Sequence, residues 1–474
     1  MNKPHTLLVK YHQNANIRPI PDEAEETLQV YPALGIGYLA SYLRKYDYPV
    51  DILDAHALKM ESDEFGRTLK EKNPDIVGIT STTIGWPGAV EAAGLARKAL
   101  PDALIVVGGP HLSVYPEESL SFPFIDIAVI GDGEETLLEI VRKKEKGELL
   151  EDIKGTAVKI NGEVKINPPR PWIENLSDLP HPAVDLLPLD RYKCLTLEHP
   201  FFTMISSRGC PYKCGFCSQV YCGDRARFRS PEDLVDEIEK YVHDYSAREI
   251  VMFDETFTID EKRVLEICKL IKERKLKFRW NIRTRVDTVT DRMLAALKET
   301  GCYGIHMGVE SGDQRILKVM RKGITLDRVR WAFKTARKYG FITRGYFMIG
   351  YLDENPDTYK STVDIARELD LDFASFSITT PLPATHLFEE SVNRGYLDPD
   401  FWKKYTLLQV SKEDFPHIPS EYWDEKELAN MMRKAYYSFY LRPAYVWKRI
   451  TSIKSWKQFM DLFRGLKIMM MMKD

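Results

Sequence analysis

Ser206-Ser207-Arg208-Gly209-Cys210-Pro211-Tyr212-Lys213-Cys214-Gly215-Phe216-Cys217 gathers three of the chain's seven cysteines into eight residues, while the first 193 residues contain none. Clustering of this kind calls for a metal centre. A structural zinc site wants four ligands, usually in two separated pairs, and bacterial ferredoxin runs space their cysteines differently. Three thiolates on one short loop suit a 4Fe-4S cluster with one iron left free of protein, open to a small chelating molecule. The bland alternative, inert buried cysteines, does not account for the spacing. Cys222 is the only further candidate ligand; it and Cys194, Cys268 and Cys302 read as ordinary residues.

Upstream, apolar runs alternate with helical patterns: Thr6–Val9, a helix from Leu34 to Tyr46, Val50–Leu53, a helix near 62–72, Ile76–Thr80, a helix from Ala89 to Leu100, Leu104–Val107, Ile127–Ile130 and a final helix. Repeated strand-helix units predict a doubly wound parallel sheet over residues 1–145, with ligands at the carboxyl ends of its strands. Small and hydroxylated residues stand at three of those ends: Thr80-Ser81-Thr82-Thr83, Gly108-Gly109-Pro110-His111 and Gly131-Asp132-Gly133-Glu134-Glu135. They leave a slot for a long polar tail. A dinucleotide site would want GxGxxG after the first strand, where Tyr11-His12-Gln13-Asn14 stands instead. Residues 146–200 are charged and proline-rich and are expected to form a stiff connection.

From Phe202–Ser206 onward, six strand-helix units are expected over residues 201–400, with later strands near Ile250–Phe253, Phe278–Ile282, Gly304–Val309, Gly345–Ile349 and Phe373–Ile378. Six units make a partial (βα) barrel with its site at the carboxyl ends of the strands. Polar motifs fall there: Asp254-Glu255, Arg283 with Arg285, Glu310-Ser311 and Gly345 to Gly350. Each carboxylate also has the commoner fate of a helix cap or a strand-end salt bridge.

CxxxCxxC with an aromatic before the last cysteine resembles the signature of the radical S-adenosylmethionine (SAM) enzymes. The resemblance implies that Cys210, Cys214 and Cys217 hold a 4Fe-4S cluster and that SAM binds its open iron. Reduction of the cluster then splits SAM into methionine and a 5'-deoxyadenosyl radical, and an external donor such as flavodoxin or ferredoxin supplies the electron. It further implies cofactor contacts from Phe216, Asp254, Glu255, Arg283, Glu310, Ser311, Gly345 and Gly350. The expected Leu-Pro-Gly-Glu-Thr is replaced by Tyr351-Leu352-Asp353-Glu354-Asn355, so that turn must differ. Residues 5–140 resemble the cobalamin-binding domain that precedes many radical SAM barrels, including the helix opening Tyr31-Pro32-Ala33-Leu34-Gly35. Cobalamin contacts are implied for Thr80, Ser81, Thr82, Gly108, Gly109, Pro110, His111, Gly131, Gly133 and Glu134. Asp54-Ala55-His56 follows the wrong strand for a cobalt-ligating DxH motif, so no histidine ligand to cobalt is expected from this domain.

The expected architecture is therefore α/β: a doubly wound cobalamin-binding domain, a partial (βα)6 radical SAM barrel, and a helical segment over 401–474. The resemblance implies modification of an unactivated carbon, by methyl transfer or by an oxidative cyclisation of the anaerobic magnesium-protoporphyrin ester cyclase type. A corrinoid carrier or sensor with a degenerate barrel is the non-enzymatic alternative. Net charge is −3, yet residues 431–474 hold ten Lys/Arg against two Asp/Glu. Such asymmetry argues against a nucleic-acid-binding body and puts any anionic surface at the carboxyl end. There Tyr436, Tyr437, Phe439, Tyr440, Tyr445, Trp447, Trp456, Phe459 and Phe463 interleave with basic residues ahead of Met469–Met472. They are expected either to complete the barrel core or to meet an anionic membrane surface or a small, lipid-like substrate. No signal-peptide core and no span of roughly 18 apolar residues occurs, and the cysteine pattern fits a reducing compartment; a cytoplasmic address is expected, with peripheral contact to the inner membrane face as the variant.

Overall fold

The computed structural model describes residues 3–11, 29–194, 196–410, 416–418, 420 and 422–451. Five parallel strands, β1 (Thr6–Lys10), β2 (Val50–Asp54), β3 (Ile76–Thr80), β4 (Leu104–Gly108) and β5 (Ile127–Val129), lie in the spatial order 2-1-3-4-5. They read as near-continuous apolar runs because both faces are covered. Ile36, Leu43, Leu137 and Val141 pack on one side, and Phe65, Leu69, Trp86 and Ala93 on the other. Strand order reverses between β1 and β3, so a crevice opens at their carboxyl ends.

The sheet goes further than the alternation predicts. β6 (Thr156–Ile160) and β7 (Glu163–Ile166) form an antiparallel hairpin that extends it beyond β5, inside the stretch expected to be only a connection. The turn Asn161-Gly162 has φ of 53° and 89°, the left-handed pair that a two-residue hairpin requires and that Asn-Gly supplies at least cost. The remaining proline-rich residues pack on both halves of the molecule: Ala183 N–H donates to Gly37 O at 3.0 Å, and Ser230 N–H to Ser177 Oγ at 2.8 Å.

Six parallel strands, β8 (Phe201–Met204), β9 (Glu249–Met252), β10 (Arg279–Arg285), β11 (Cys302–Glu310), β12 (Ile342–Ile349) and β13 (Phe373–Ile378), follow in sequence order. Ser230, Asp260, Thr290, Thr325, Asn355 and Thr385 each begin a helix by accepting one of its free N–H groups. Such a cap is worth about 1 kcal/mol, and its regular recurrence marks the six units.

β8 and β13 do not pair, so the barrel is open. The free edge of β13 is covered by the helix Glu425–Tyr440. Tyr436 Oη accepts from Phe376 N and donates to Phe376 O, both at 3.1 Å, and Tyr440 does the same to Ala374 at 3.1 and 2.9 Å. Two hydroxyls thus satisfy the backbone of an edge that would otherwise invite another strand. These tail aromatics complete the barrel; Trp456, Phe459, Phe463 and Met469–Met472 lie outside the described residues.

The short helix Phe401–Thr406, expected to belong to the tail, returns to the first sheet. Trp86 Nε1 donates to Thr406 O at 2.8 Å and Tyr405 Oη to Ile84 O at 2.9 Å. One apolar core runs from Leu8 and Ile36 through the barrel to Phe439, so the two sheets face one another across packed side chains.

Candidate active site

A cavity of about 430 Å³ lies between the two sheets. Its floor is formed by the strand ends of the first sheet: Thr80, Gly108, Gly109, Pro110, Gly131, Gly133 and Glu134 all line it, as the sequence predicts. Gly109 has φ +105°, and a Cβ there would stand 2.5 Å from Ser81 O, so only glycine keeps this wall flat. A floor of bare backbone suits a flat, tailed molecule, and among the described residues no histidine lines it.

Three predicted contacts point elsewhere. Ser81 Oγ donates to Thr82 O, and Thr82 Oγ1 accepts from Gly85 N, so both hydroxyls shape the turn into the next helix. His111 is fully buried, stacked on Trp86 with ring centroids 4.5 Å apart, with Nε2 3.4 Å from Thr406 Oγ1. Burial pushes its pKa down to about 3, which makes it a neutral core histidine. Asp54 behaves likewise, accepting from Ala57 N and Tyr192 Oη at 3.0 Å each.

Ser207 and Arg208, at the entry to the cysteine loop, form the opposite wall with Tyr221, Cys222 and Glu255. Cys210 and Cys214 are half-buried and Cys217 is exposed. The loop can turn because Gly209 sits at φ +88°, where a Cβ would meet Arg225 O. Gly215 N–H donates to Met320 O at 2.8 Å, and Gln219 Nε2 bridges Cys210 O and Tyr212 O at 2.5 and 2.6 Å. Asp254 anchors the entry: it accepts from Ser206 N at 3.2 Å, from Ser206 Oγ at 2.5 Å and from Ser207 Oγ. Its carboxylate is therefore spent on the loop, in place of the cofactor contact expected of it. Glu255 instead lines the cavity, and desolvation in that recess raises its pKa to about 7.

Arg285 holds the loop from below. It donates to Cys214 Sγ at 3.2 Å, to Asp287 at 2.9 Å and to Lys322 O at 2.6 Å, and stacks on Tyr212 at 3.7 Å. Glu310 pairs with Lys322 at 2.7 Å beside Phe216, whose ring centre lies 5.6 Å from Lys322 Nζ. The Glu310 backbone is left-handed at φ +72°, a strain of the kind that accumulates at functional sites. Ser311 is withdrawn from the site, its hydroxyl engaged by Asp313 N at 3.1 Å and lying 3.3 Å from Thr362 Oγ1. Gly345 faces Leu371 and the Phe347 ring, where no Cβ fits. Gly350 at φ +78° donates to Glu354 Oε2 at 2.5 Å and lies against Leu428. These two glycines shape the strand and its turn. Burial raises the Glu354 pKa to about 7, and its Oε1 has no hydrogen-bond partner among the described residues.

Sequence reasoning missed the couplers between the two walls. Arg208, two residues before Cys210, donates to Asp132 at 3.1 Å and to Glu134 at 2.6 Å, and Arg227 donates to Asp132 at 2.6 Å. Glu134 thus borders the cavity with its carboxylate already held. The only signal was the pairing of an acidic strand end with basic residues 74 to 95 positions away, which no local pattern can reveal.

Among the described residues no three His, Cys, Asp or Glu side chains converge on one metal ion. A cubane takes each thiolate at a separate corner, so its ligands need not meet at a point. Three thiols on one pinned loop, with an arginine already donating to sulfur, fit such a cluster.

Comparison with known proteins agrees with this geometry. The family model of the radical SAM superfamily matches residues 204–366, and that of the B12 binding domain matches residues 24–141. The chain is 38% identical over 421 residues to an uncharacterized methyltransferase of Pyrococcus horikoshii, covering 88% of this chain and 90% of that one. It belongs to the B12-binding radical SAM enzymes. The cofactors of this family are a 4Fe-4S cluster, SAM and cobalamin. Another family member, the anaerobic magnesium-protoporphyrin IX monomethyl ester cyclase of Rubrivivax gelatinosus, is 28% identical over 438 residues, covering 91% of this chain and 77% of that one. The fold is shared with the solved radical SAM methyltransferase TsrM of Kitasatospora setae, at a TM-score of 0.75 and 17% identity, covering 100% and 99% of the two chains.

Proposed function

We propose that the protein transfers a methyl group to an unactivated carbon of a small substrate, with Cys210, Cys214 and Cys217 holding the cluster and the strand ends of the first sheet holding cobalamin. The supporting observation is the single cavity that borders Gly108, Gly109 and Gly131 on one wall and Ser207, Arg208 and Glu255 on the other. The corrinoid floor and the residues that lead into the cluster loop then border one chamber, which supports a reaction passing between the two cofactors. An unactivated carbon has no acidic proton, so acid-base side chains cannot open it; cluster-bound SAM supplies a radical and the corrinoid a methyl group.

The protein's own part is placement. Asp254 and Arg285 fix the loop, the Glu310–Lys322 pair stands beside Phe216, and Arg208 ties the cluster loop to the corrinoid floor. The helix over β13 covers the barrel's open edge. The electron comes from an external donor, a flavodoxin or ferredoxin by chemistry. No helix among the described residues is long and apolar enough to cross a membrane. Contact with an anionic membrane surface would use the outer face of Pro443–Thr451, where Trp447 and Ile450 are exposed.

Reconstituted protein given methyl-deuterated SAM should return product carrying the label, and Cys214→Ala should lose iron and all 5'-deoxyadenosine formation. Unlabelled, oxidised product would support the second reading, a cyclase, which the Rubrivivax relative favours. A filled cluster that cleaves no SAM under strong reductant would leave only a corrinoid carrier.

A further inference from the structure

One layer of the barrel interior carries two guanidinium groups and no carboxylate. Strand register sets Arg283 opposite His306, His306 opposite Arg344, and Arg344 opposite Phe373, a single rung across β10, β11, β12 and β13. Side chains on one rung of a parallel sheet share a face. That face is the interior: the Arg283 guanidinium lies 3.8 Å from the centre of the Phe253 ring, and Phe253 lines the cavity. Arg344 stacks on Phe373 at 5.0 Å. Tyr31, from the first sheet's side, meets Phe253 edge-on at 5.0 Å and closes over the group.

Neither arginine forms an ion pair with any described residue, and the Nε of each is buried without a hydrogen-bond partner. Deeper in the barrel, Glu249 is already taken by the Tyr303 hydroxyl, Asn281 Nδ2 and the Glu198 N–H. His306 cannot compensate: burial and the two arginines hold its pKa well below the ordinary value, and its Nδ1 lies 3.2 Å from Tyr346 Oη. Both side chains are half-buried, and a charge partly withdrawn from water without a counter-charge is costly, so proteins otherwise pair it. Nearby Arg285, Arg208 and Arg227 are all paired.

We infer that Arg283 and Arg344 hold an oxyanion group of the substrate, a carboxylate or a phosphate or phosphonate, with the reacting carbon directed toward the cysteine loop. This rests on the placement of the radical chemistry proposed above. The rung lies two residues before Arg285, about 6.6 Å along the strand, and Arg285 donates to Cys214 Sγ, so an anion anchored here is one layer removed from the cysteine loop. SAM bound to a cluster on this loop would bring its carboxylate to the level of Arg285, which already donates to Cys214 Sγ. Guanidinium groups suit the task because their planar fork matches an oxyanion in two hydrogen bonds.

The test uses protein loaded with cluster, cobalamin and SAM, titrated calorimetrically with phenyl phosphate, benzoate and benzyl alcohol. One or both anions should bind and the neutral alcohol should not. Arg344→Gln and Arg283→Gln should each weaken anion binding by about 10- to 100-fold, with iron, cobalamin and SAM affinity unchanged, and Arg344→Lys should recover part of the loss. Failure of both anions to bind, equal binding of the alcohol, or undiminished binding by Arg344→Gln would overturn the inference. Loss of SAM affinity in Arg283→Gln with anion binding intact would also overturn it, by assigning Arg283 to SAM. These readouts need no turnover. Absence of SAM cleavage would count against the radical reading alone, and absence of anion binding against this one alone.

Discussion

The rim of the barrel and the rung beneath it are built from the same kinds of residue under opposite rules. At the rim Asp254, Arg285, Glu310 and Arg208 are each satisfied within the protein. One step deeper Arg283 and Arg344 have no counter-charge among the described residues. The groups that pin the cysteine loop are paired before any ligand arrives, which is what a loop carrying a metal cluster needs if its sulfurs are to be preorganised. The rung is left incomplete, as a site must be if a ligand is to complete it.

If that contrast is correct, damage to the rim should cost stability, whereas damage to the rung should not. The largest effect is expected from Asp254→Ala, which leaves the Ser206 N–H and two serine hydroxyls without an acceptor in a buried place; roughly 3 kcal/mol or more should be lost, with iron content falling alongside. Chemical denaturation and iron analysis on one preparation measure both, and an unchanged midpoint would break the comparison.

Next comes Glu354, a rim carboxyl that pairs only with backbone. Its folded pKa, raised to about 7 from an ordinary 4.5, means that the folded state holds the proton more tightly. Below pH 4.5 it is protonated folded or unfolded and carries no penalty; the penalty grows from 4.5 to 7 and is complete above 7. Stability should therefore fall as pH rises through this window by on the order of 3 kcal/mol. Glu354→Gln should flatten the slope and stabilise the protein at pH 8, seen in melting temperature against pH.

A smaller effect tests the covered edge. Tyr436→Phe removes one hydroxyl from the β13 backbone and should cost about 1 kcal/mol, with earlier hydrogen exchange at Phe376. Smallest of all, Arg344→Gln should change stability by less than about 1 kcal/mol in either direction, because no ion pair with a described residue is lost, only the stacking on Phe373. A large destabilisation there would mean that the guanidinium has a structural role.

Much of this was readable from local pattern. The strand-helix alternation gave both sheets with ends displaced by a few residues, and glycines at 108, 109, 131 and 133 marked the floor, two of them, Gly109 and Gly131, in left-handed backbone that favours glycine. Asn161-Gly162 announced a hairpin that the surrounding prolines masked. Less readable was the fate of individual polar groups. Asp254 and Glu255 are neighbours with opposite roles, one tied to Ser206 and Ser207 and the other lining the cavity; consecutive side chains point to opposite sides, but sequence does not say which side holds the partner. His111 resembled a ligand until Trp86 and Thr406 enclosed it.

By itself the sequence determined the cluster loop, the order of the two sheets and the family chemistry, because spacing, periodicity and turn residues act within a few positions along the chain. Tertiary structure alone decided that Arg208 meets Glu134, that Tyr436 and Tyr440 cover an edge, and that Arg283 and Arg344 share a rung. Those relations join residues tens of positions apart, and whether a charge is paired depends on what folding brings within a hydrogen bond of it.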